Sequence, residues 1–130
     1  MILQPPGLIL YVHGARDPRW AEPFERLRDR IAMRAPDRPL AVAFLEHLRP
    51  DLSGAAAAMA ANGVRRIRIV PLFFGRGGHL REDFPQQLAA ARAGLPDVQF
   101  EVTEAAGEND AVLEALADFA LNAASLNTSS

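Results

Sequence analysis

The sequence contains no cysteine. This absence excludes disulfide bridges, thiolate catalysis and Cys-rich zinc or iron–sulfur sites, and it agrees with a reducing compartment such as the cytoplasm. Lysine is absent as well, so all 14 basic residues are arginine. A Walker-type phosphate loop and a Schiff-base enzyme each need a lysine, so both of these classes are excluded.

Long apolar runs and a strong charge of one sign are also missing. No apolar run approaches the roughly 18 residues of a membrane span. The N-terminal apolar run ends at His13 and has no basic segment before it, so it does not resemble a signal peptide. The net charge of −2 and the absence of any arginine run longer than two argue against nucleic acid, the double helix in particular, as a partner.

The composition that remains is that of a globular protein. Of its 130 residues, 49% are hydrophobic and 23% are charged, which suits one domain with a substantial core. We expect this domain to occupy residues 1–121. The small polar segment 122–130 is expected to be a frayed tail.

Apolar segments alternate with helical patterns along the chain. Apolar runs predict strands at residues 8–12 and 40–44, the segment Ile67-Arg68-Ile69-Val70 predicts a third strand, and an alternating run predicts a fourth at residues 98–102. A helical pattern follows each strand, with expected caps at Asp51, Gly63 and Asn109 and a capping box from Asp83 to Gln86. Four such βα units predict an α/β fold of three layers, a four-stranded parallel sheet with helices on both faces.

Polar residues follow the predicted strands where the strands end. His13 follows the first strand, Glu46 and His47 follow the second, and His79 lies in a glycine-rich stretch after the third. Open parallel sheets bind ligands at the carboxyl ends of their strands, so these residues are expected to converge. Two imidazoles and a carboxylate suit a divalent transition metal.

Each of these residues also has a simpler structural interpretation. His13 could bond to a loop carbonyl. Glu46 could pair with Arg49 or with the amino end of the helix that starts near Pro50. His47 could be a ligand, but a position at the surface or behind the ligands is favoured. The stretch around Gly77 and Gly78 could cradle a phosphate. It lacks the G-x-G-x-x-G spacing, however, so we expect no nucleotide cofactor.

Several arginines lie in the loops at the same end of the predicted sheet. Solvated loop arginines are the simpler interpretation. In a net-negative protein, their clustering favours a positive rim for a polycarboxylate, which arginine can bind through two parallel hydrogen bonds. The residues are Arg16, Arg19, Arg49, Arg76 and Arg81.

Three segments together resemble a known family. They are His13-Gly14-Ala15-Arg16-Asp17-Pro18-Arg19-Trp20, then Phe44-Leu45-Glu46, then Pro71-Leu72-Phe73-Phe74-Gly75-Arg76-Gly77-Gly78-His79 with Asp83. This order of motifs, over residues 8–120, is similar to that of the short CbiX/SirB-type sirohydrochlorin chelatases. The resemblance implies a chelatase-like fold, related to half of a flavodoxin-like protein.

The resemblance also implies an activity and a site. It implies insertion of Co²⁺, or of Fe²⁺ in the siroheme branch, into the octacarboxylate tetrapyrrole sirohydrochlorin, in cobalamin or siroheme biosynthesis. By the Irving–Williams order, such a site would also take Ni²⁺. His13 and His79 match the metal-binding pair, and Glu46 matches the acidic position. The family usually has serine at Ala15, so a hydroxyl contact there is in doubt.

Substrate contacts and a partner follow from the same resemblance. We expect the tetrapyrrole to be held by Arg16, Arg19, Gly77, Gly78 and Arg81. Short members resemble half of the longer two-domain chelatases, which implies a homodimer. Two other functions stay open: a metal or tetrapyrrole carrier without turnover, and a flavodoxin-like module that binds a phosphate or nucleotide.

Overall fold

The computed structural model describes residues 4–75 and 79–127, without the side chains of 79–81 and 123–127. It contains a four-stranded sheet, all parallel, in the order β2-β1-β3-β4. The predicted α/β class is confirmed, and each predicted strand is correct to within one residue at either end. The strands are β1 Gly7–Val12, β2 Leu40–Phe44, β3 Arg66–Pro71 and β4 Gln99–Val102.

Four α-helices and two short 3₁₀ turns connect and follow the strands. The helices are α1 Glu22–Arg34, α2 Leu52–Ala61, α3 His79–Gly94 and α4 Asp110–Asn127. One 3₁₀ turn, Pro18–Ala21, precedes α1, and the other, Ala106–Glu108, precedes α4. In the described part of the chain, no helix combines the length and the apolar character that a membrane span requires.

Three predicted helix boundaries are confirmed by their caps. The Asp51 carboxylate accepts a hydrogen bond from the Gly54 amide at 2.8 Å and begins α2. Gly63, with a φ of 91°, follows the end of α2 in a backbone conformation that glycine adopts without strain. The Asn109 side chain accepts a bond from the Val112 amide at 3.1 Å and begins α4.

Two other boundaries differ from the prediction. The expected capping box at Asp83 is wrong, because α3 already begins at His79 and Asp83 lies in its second turn. Leu80, Arg81 and Glu82 favour helix, so the helix begins as soon as the glycines end. Similarly, α4 continues to Asn127, so the segment expected to be a frayed tail is helical as far as residue 127.

The helices pack on both faces of the sheet, as predicted. Ile9 and Tyr11 of β1 face a core shared with α2 and α3. Leu10 and Val12 face the opposite side, where they pack with Phe24 and other residues around α1. β1 is therefore buried on both faces, and its carboxyl end meets that of β2 because Val12 pairs with Phe44.

Candidate functional site

His13 and Glu46 meet where β1 and β2 end. The Leu45 amide donates to the Val12 carbonyl at 2.8 Å, which continues the strand pairing by one residue and brings the two loops together. His13 Nδ1 then lies 3.8 Å from Glu46 Oε1. The two side chains are 45% and 39% exposed, so both are accessible to a ligand and neither is cut off from water.

Gly14 makes this approach possible. Its amide donates to Glu46 Oε1 at 3.2 Å, which fixes the carboxylate beside the imidazole. A Cβ atom at this position would lie 1.5 Å from the Glu46 carbonyl oxygen. Any residue other than glycine would therefore push the two loops apart.

Two aromatic residues hold His13. The Phe73 ring, in the loop after β3, lies 4.6 Å from the imidazole centroid at an interplanar angle of 54°. The Trp20 indole nitrogen donates to the His13 carbonyl at 2.6 Å. Helical periodicity assigns Trp20 to the apolar stripe of α1, so sequence reasoning misses this contact, and no local spacing pattern reveals it.

A buried hydrogen-bond chain lies behind His13 and Glu46. The Tyr11 hydroxyl donates to the Gln87 side-chain oxygen at 2.5 Å, and the Gln87 amide nitrogen donates to the Leu45 carbonyl at 3.0 Å. Gln87 thus joins α3 to the ends of β1 and β2. Sequence reasoning misses Gln87, because no local spacing pattern links it to Tyr11 or to Leu45.

The protonation state of Tyr11 agrees with its role as a donor. Burial, followed by the nearby carboxylates of Glu46, Asp83 and Asp51, raises the pKa of the Tyr11 hydroxyl far above its ordinary value. The hydroxyl therefore keeps its proton across the pH range in which the protein would be assayed.

For His79, the third predicted ligand, the structure shows only part of the residue. His79 is the first residue of α3, but the structure describes only its backbone and not its side chain. The same is true of Arg81, and Gly77 and Gly78 lie outside the described residues entirely. Among the side chains that the structure does describe, no three histidines or carboxylates lie close enough together to hold a metal ion.

The loop after β2 bears on the simpler interpretations of Glu46 and His47. No ion pair between Glu46 and Arg49 occurs among the described residues, whereas Glu46 does lie beside His13. His47 is exposed and has a φ of 68°, a left-handed conformation that histidine tolerates better than most residues. The segment Phe44–Arg49, with Asp51, lines a shallow cavity of about 260 Å³.

The structure describes only part of the predicted arginine rim. Arg16 and Arg49 are exposed at this end of the sheet. Arg19 is already bound to Asp17 through its Nη2 at 2.7 Å, and its hydrogen bonds lower the pKa of the Asp17 carboxyl. Arg19 would have to leave Asp17 to bind a substrate. Arg76 lies outside the described residues.

The loop after β4 supports the loop that carries Phe73. The Gly107 amide donates to the Phe73 carbonyl at 2.8 Å. Phe74, the next residue, is 70% exposed, so its ring faces solvent from a fixed backbone. The Glu108 carboxylate accepts a hydrogen bond from the Ala105 amide at 3.2 Å, which stabilises the turn before α4.

A larger cavity, of about 660 Å³, lies at the opposite end of the sheet. Arg38 and Arg66 line it, but both donate to backbone carbonyls, those of Pro6 and Gln4. No histidine lines this cavity. Cavity size therefore does not identify the site, because Glu46, one of the predicted metal ligands, lines the smaller cavity.

Comparison with known proteins identifies the family of this chain. The family model described as CbiX matches residues 7–123. A sirohydrochlorin cobaltochelatase of Methanothermobacter thermautotrophicus is 35% identical over 82 residues, which are 63% of this chain and 57% of that protein. One of Sulfurisphaera tokodaii is 28% identical over 110 residues, which are 85% of this chain and 87% of that protein. This chain thus spans little more than half of the first relative and most of the second.

Solved structures share the fold. A CbiX protein of Marinobacter aquaeolei VT8 superposes with a TM-score of 0.84 and 30% identity, covering 96% of this chain and 99% of that one. The structure of SirB from Bacillus subtilis with Fe³⁺ superposes with a TM-score of 0.69 and 23% identity. That match covers 85% of this chain but only 44% of SirB, so this chain corresponds to half of the longer protein.

Proposed function

This chain belongs to the CbiX family, and we propose that it is a chelatase that inserts a divalent metal ion into sirohydrochlorin. The relatives named above are sirohydrochlorin cobaltochelatases, which supports cobalt as the metal and sirohydrochlorin as the acceptor. The structure of SirB with Fe³⁺ supports iron as a second metal for this fold. In both cases the metal ion is a substrate, and no nucleotide takes part in the reaction.

The observation that carries the proposal is the approach of His13 to Glu46. An imidazole and a carboxylate 3.8 Å apart, both partly exposed, provide nitrogen and oxygen ligands at the carboxyl end of the sheet. His79, at the start of α3, is proposed as the third ligand. A set of three residues leaves positions for water and for the incoming tetrapyrrole, which suits an ion that must leave the protein again.

Metal insertion also requires the removal of two protons. The tetrapyrrole exchanges two pyrrole N–H protons for one divalent ion, so the protein must hold the ion and accept protons close to it. A neutral imidazole can do either, and we assign these roles to His13 and His79. Glu46 supplies negative charge and orients His13, as carboxylates next to metal-binding histidines commonly do.

The carboxylates of the substrate call for cations around the site. Arg16 is exposed on the loop after β1, and it is proposed to bind a substrate carboxylate. Arg19, Arg81 and the backbone at Gly77 and Gly78 are proposed as further contacts. Of these, Arg19 is already paired with Asp17. Its contribution to substrate binding therefore requires it to exchange the Asp17 carboxylate for a carboxylate of the substrate.

A second copy of the chain is part of the proposal. SirB is more than twice as long as the part that this chain matches, so a homodimer would supply the half that is missing here. Cobalamin or siroheme biosynthesis in the cytoplasm is the proposed setting. The absence of cysteine from the sequence supports the cytoplasmic location.

The test is a chelation assay with purified protein, sirohydrochlorin and Co²⁺ or Fe²⁺. The absorbance change of the macrocycle measures the rate of metal insertion. We expect a rate above that of the protein-free mixture. His13→Ala should abolish the increase, because it removes both a metal ligand and a proton acceptor. His47→Asn is the matched control, since it alters a histidine one residue from Glu46 and keeps a residue that tolerates a positive φ.

Two results would contradict the proposal. An unchanged rate with the wild-type protein, despite tight Co²⁺ binding by calorimetry, would favour a metal carrier. Full activity in His13→Ala would show that the reaction does not depend on the His13–Glu46 pair.

A further inference from the structure

The cavity at the amino end of the sheet has the size of a ligand site. Its volume of about 660 Å³ is in the range of cavities that bind small organic molecules. Its walls come from residues at or just before the starts of β1, β2 and β3, and from the segments that follow α1 and α2. The six residues of β1, about 20 Å of strand, separate it from His13. A ligand in this cavity would therefore not touch the proposed metal site.

Part of the cavity wall is apolar. Pro39 and Val64 lie against the buried Gly7 of β1, since a Cβ atom placed on Gly7 would meet Pro39 Cβ at 3.4 Å and Val64 Cγ1 at 3.3 Å. Pro5 and Pro36 add further apolar atoms to the lining. The cavity thus offers a surface for the apolar body of an organic ligand, which a bare inorganic ion would leave unused.

Three arginines line the same cavity, and backbone carbonyls anchor them. Arg38 donates through Nε to the Pro6 carbonyl at 2.5 Å, and Arg66 donates through Nη1 to the Gln4 carbonyl at 3.0 Å. Arg65 is anchored through Nη1 alone, at the end of α2. A guanidinium has five N–H donors, so the bonds among the described residues use at most two on each arginine. The anchors hold these groups in place, which lowers the entropy cost of binding a ligand with the remaining donors.

The positive charge of these arginines is only partly balanced around the cavity. In the part of the chain that the structure describes, none of the three pairs with a carboxylate, and Asp37 is the only acidic residue of the lining. α1 and α2 also end here, and each carboxyl end of a helix acts as about half a negative charge. Three arginines against Asp37 and two helix ends leave a net charge of about +1. An anionic ligand would balance this charge.

The helix ends also favour one class of anion. Phosphate sites commonly use the amides at the amino end of a helix, whereas α1 and α2 present carbonyl groups to this cavity. Guanidinium groups bind carboxylates through two parallel hydrogen bonds. Separate carboxylates on one apolar body can bind separate arginines and stay clear of the helix carbonyls.

We propose that this cavity is a second ligand site, which binds a small organic anion with two or more carboxylates on an apolar ring or chain. Arg38 and Arg66, both half-buried, bind carboxylates with the donors that their anchors leave free. Arg65 is exposed and contributes at the rim. The apolar body lies against Pro39 and Val64. The cavity is separate from the proposed metal site, so its ligand does not depend on the chelatase activity.

Calorimetric titration of the purified chain with benzene-1,3,5-tricarboxylate tests the site. We expect saturable binding, which Arg38→Gln and Arg66→Gln each weaken by about ten- to a hundredfold through the loss of charged hydrogen bonds. Arg92→Gln is the matched control. It removes an exposed arginine near the end of α3, at the same end of the sheet but outside the cavity lining, and should retain the wild-type affinity. Absence of binding to the wild-type protein, or an equal loss in all three variants, would overturn the proposal.

NMR locates the probe in the wild-type protein, so this measurement does not depend on how well the variants fold. The amide resonances of Gly63 and Val64, which line the cavity, should shift during titration with the tricarboxylate. Those of Gly14 and Glu46 should stay in place. Shifts at Gly14 and Glu46 without shifts at Gly63 and Val64 would place the probe at the other end of the sheet and overturn the proposal.

Two further compounds separate the charge of the probe from its shape. Benzene-1,3,5-trimethanol has the same ring without negative charge and should not bind. Inorganic phosphate has the charge without an apolar body and should not displace the tricarboxylate at equal concentration. Equal affinity for the neutral ring would show that the arginines take no part, and displacement by phosphate would show that the apolar wall takes none. Either result would overturn the proposal.

The metal site is tested separately. Glu46→Gln should leave the affinity for the tricarboxylate unchanged, and Arg66→Gln should leave Co²⁺ binding unchanged. Loss of tricarboxylate binding in Glu46→Gln would place the probe at the metal site and overturn the second site. A wild-type protein that binds the tricarboxylate in the cavity but has no chelatase activity would overturn the proposed function and support the second site.

Discussion

The amide nitrogen of Gly14 lies 3.2 Å from Glu46 Oε1, and this hydrogen bond joins the loop after β1 to the loop after β2. The contact places the carboxylate beside the His13 imidazole. It depends on the missing side chain at Gly14, because the Glu46 backbone occupies the space that a Cβ atom would need.

Gly14→Ala is therefore expected to damage both the fold and the site. The added Cβ would meet the Glu46 carbonyl oxygen at 1.5 Å, and relief of such overpacking typically costs about 1–3 kcal/mol of unfolding free energy or more. Urea denaturation measures the loss. Gly94→Ala is the control, since a Cβ there meets nothing within 4 Å and should leave the midpoint unchanged or slightly raised. Equal midpoints for Gly14→Ala and wild type would contradict the prediction.

Glu46→Gln separates the charge of Glu46 from its shape. Glutamine keeps an oxygen that can accept the Gly14 amide, so the fold should be retained. Loss of the negative charge beside His13 should weaken Co²⁺ binding by about 10–100-fold. Calorimetric titration with Co²⁺ measures the change. Asp97→Asn, which removes an exposed carboxylate before β4 at the other end of the sheet, should leave the affinity unchanged, and a similar loss in both variants would count against the role of Glu46.

Gln87→Leu tests the hydrogen-bond chain behind the site. The substitution leaves the Tyr11 hydroxyl without its acceptor, and an unsatisfied buried hydroxyl costs about 1–3 kcal/mol of unfolding free energy. Adding Tyr11→Phe removes the stranded hydroxyl, so the double variant should regain part of the loss. Urea denaturation of the two single variants and the double variant gives the coupling energy. Strictly additive effects would show that the two residues act independently.

The sequence predicts the fold well because the fold depends on local patterns. Apolar and alternating segments indicate the strands, and the strand ends of a parallel sheet place His13 and Glu46 at one edge. The start of α3 is missed because the glycines before it suggest a long loop, and helix-forming residues directly after the last glycine decide the boundary instead.

The supporting contacts of the site are less accessible to sequence reasoning. Trp20 has the spacing of a core residue of α1, but its indole binds the His13 carbonyl across a turn. Gln87 reaches Tyr11, 76 residues earlier in the chain. Such contacts depend on how elements pack in three dimensions, and one sequence contains no periodic signal for them.

The Asp17–Arg19 pair predicts a pH-dependent turn. Hydrogen bonds from the Arg19 side chain and backbone lower the pKa of the Asp17 carboxyl below its ordinary value. A lowered pKa in the folded state means that the pair stabilises the turn above the ordinary pKa. That stabilisation is lost as the pH falls through the lowered value. Carbon-detected NMR titration of the Asp17 carboxyl should show the lowered midpoint.

Removal of the guanidinium should reverse this shift in part. Arg19→Ala keeps the backbone hydrogen bond to Asp17 but removes the side-chain bonds, so the Asp17 midpoint should rise. Arg28→Ala on α1 is the control and should leave the midpoint in place. An Asp17 midpoint that does not respond to Arg19→Ala would show that the contact is absent in solution.

Phe74 is expected to bind the macrocycle without taking part in the chemistry. Its ring is 70% exposed, next to the residue that packs on His13, and Gly107 fixes its backbone, so it offers a flat apolar surface beside the site. Phe74→Ala should raise the KM for sirohydrochlorin about two- to tenfold, as expected for the loss of one stacked ring, and leave kcat unchanged. Phe74→Trp should retain the wild-type KM. Met33→Ala, which alters an exposed apolar residue near the end of α1, is the control and should have no effect. A fall in kcat at constant KM in Phe74→Ala would show instead that the ring acts on the metal-insertion step.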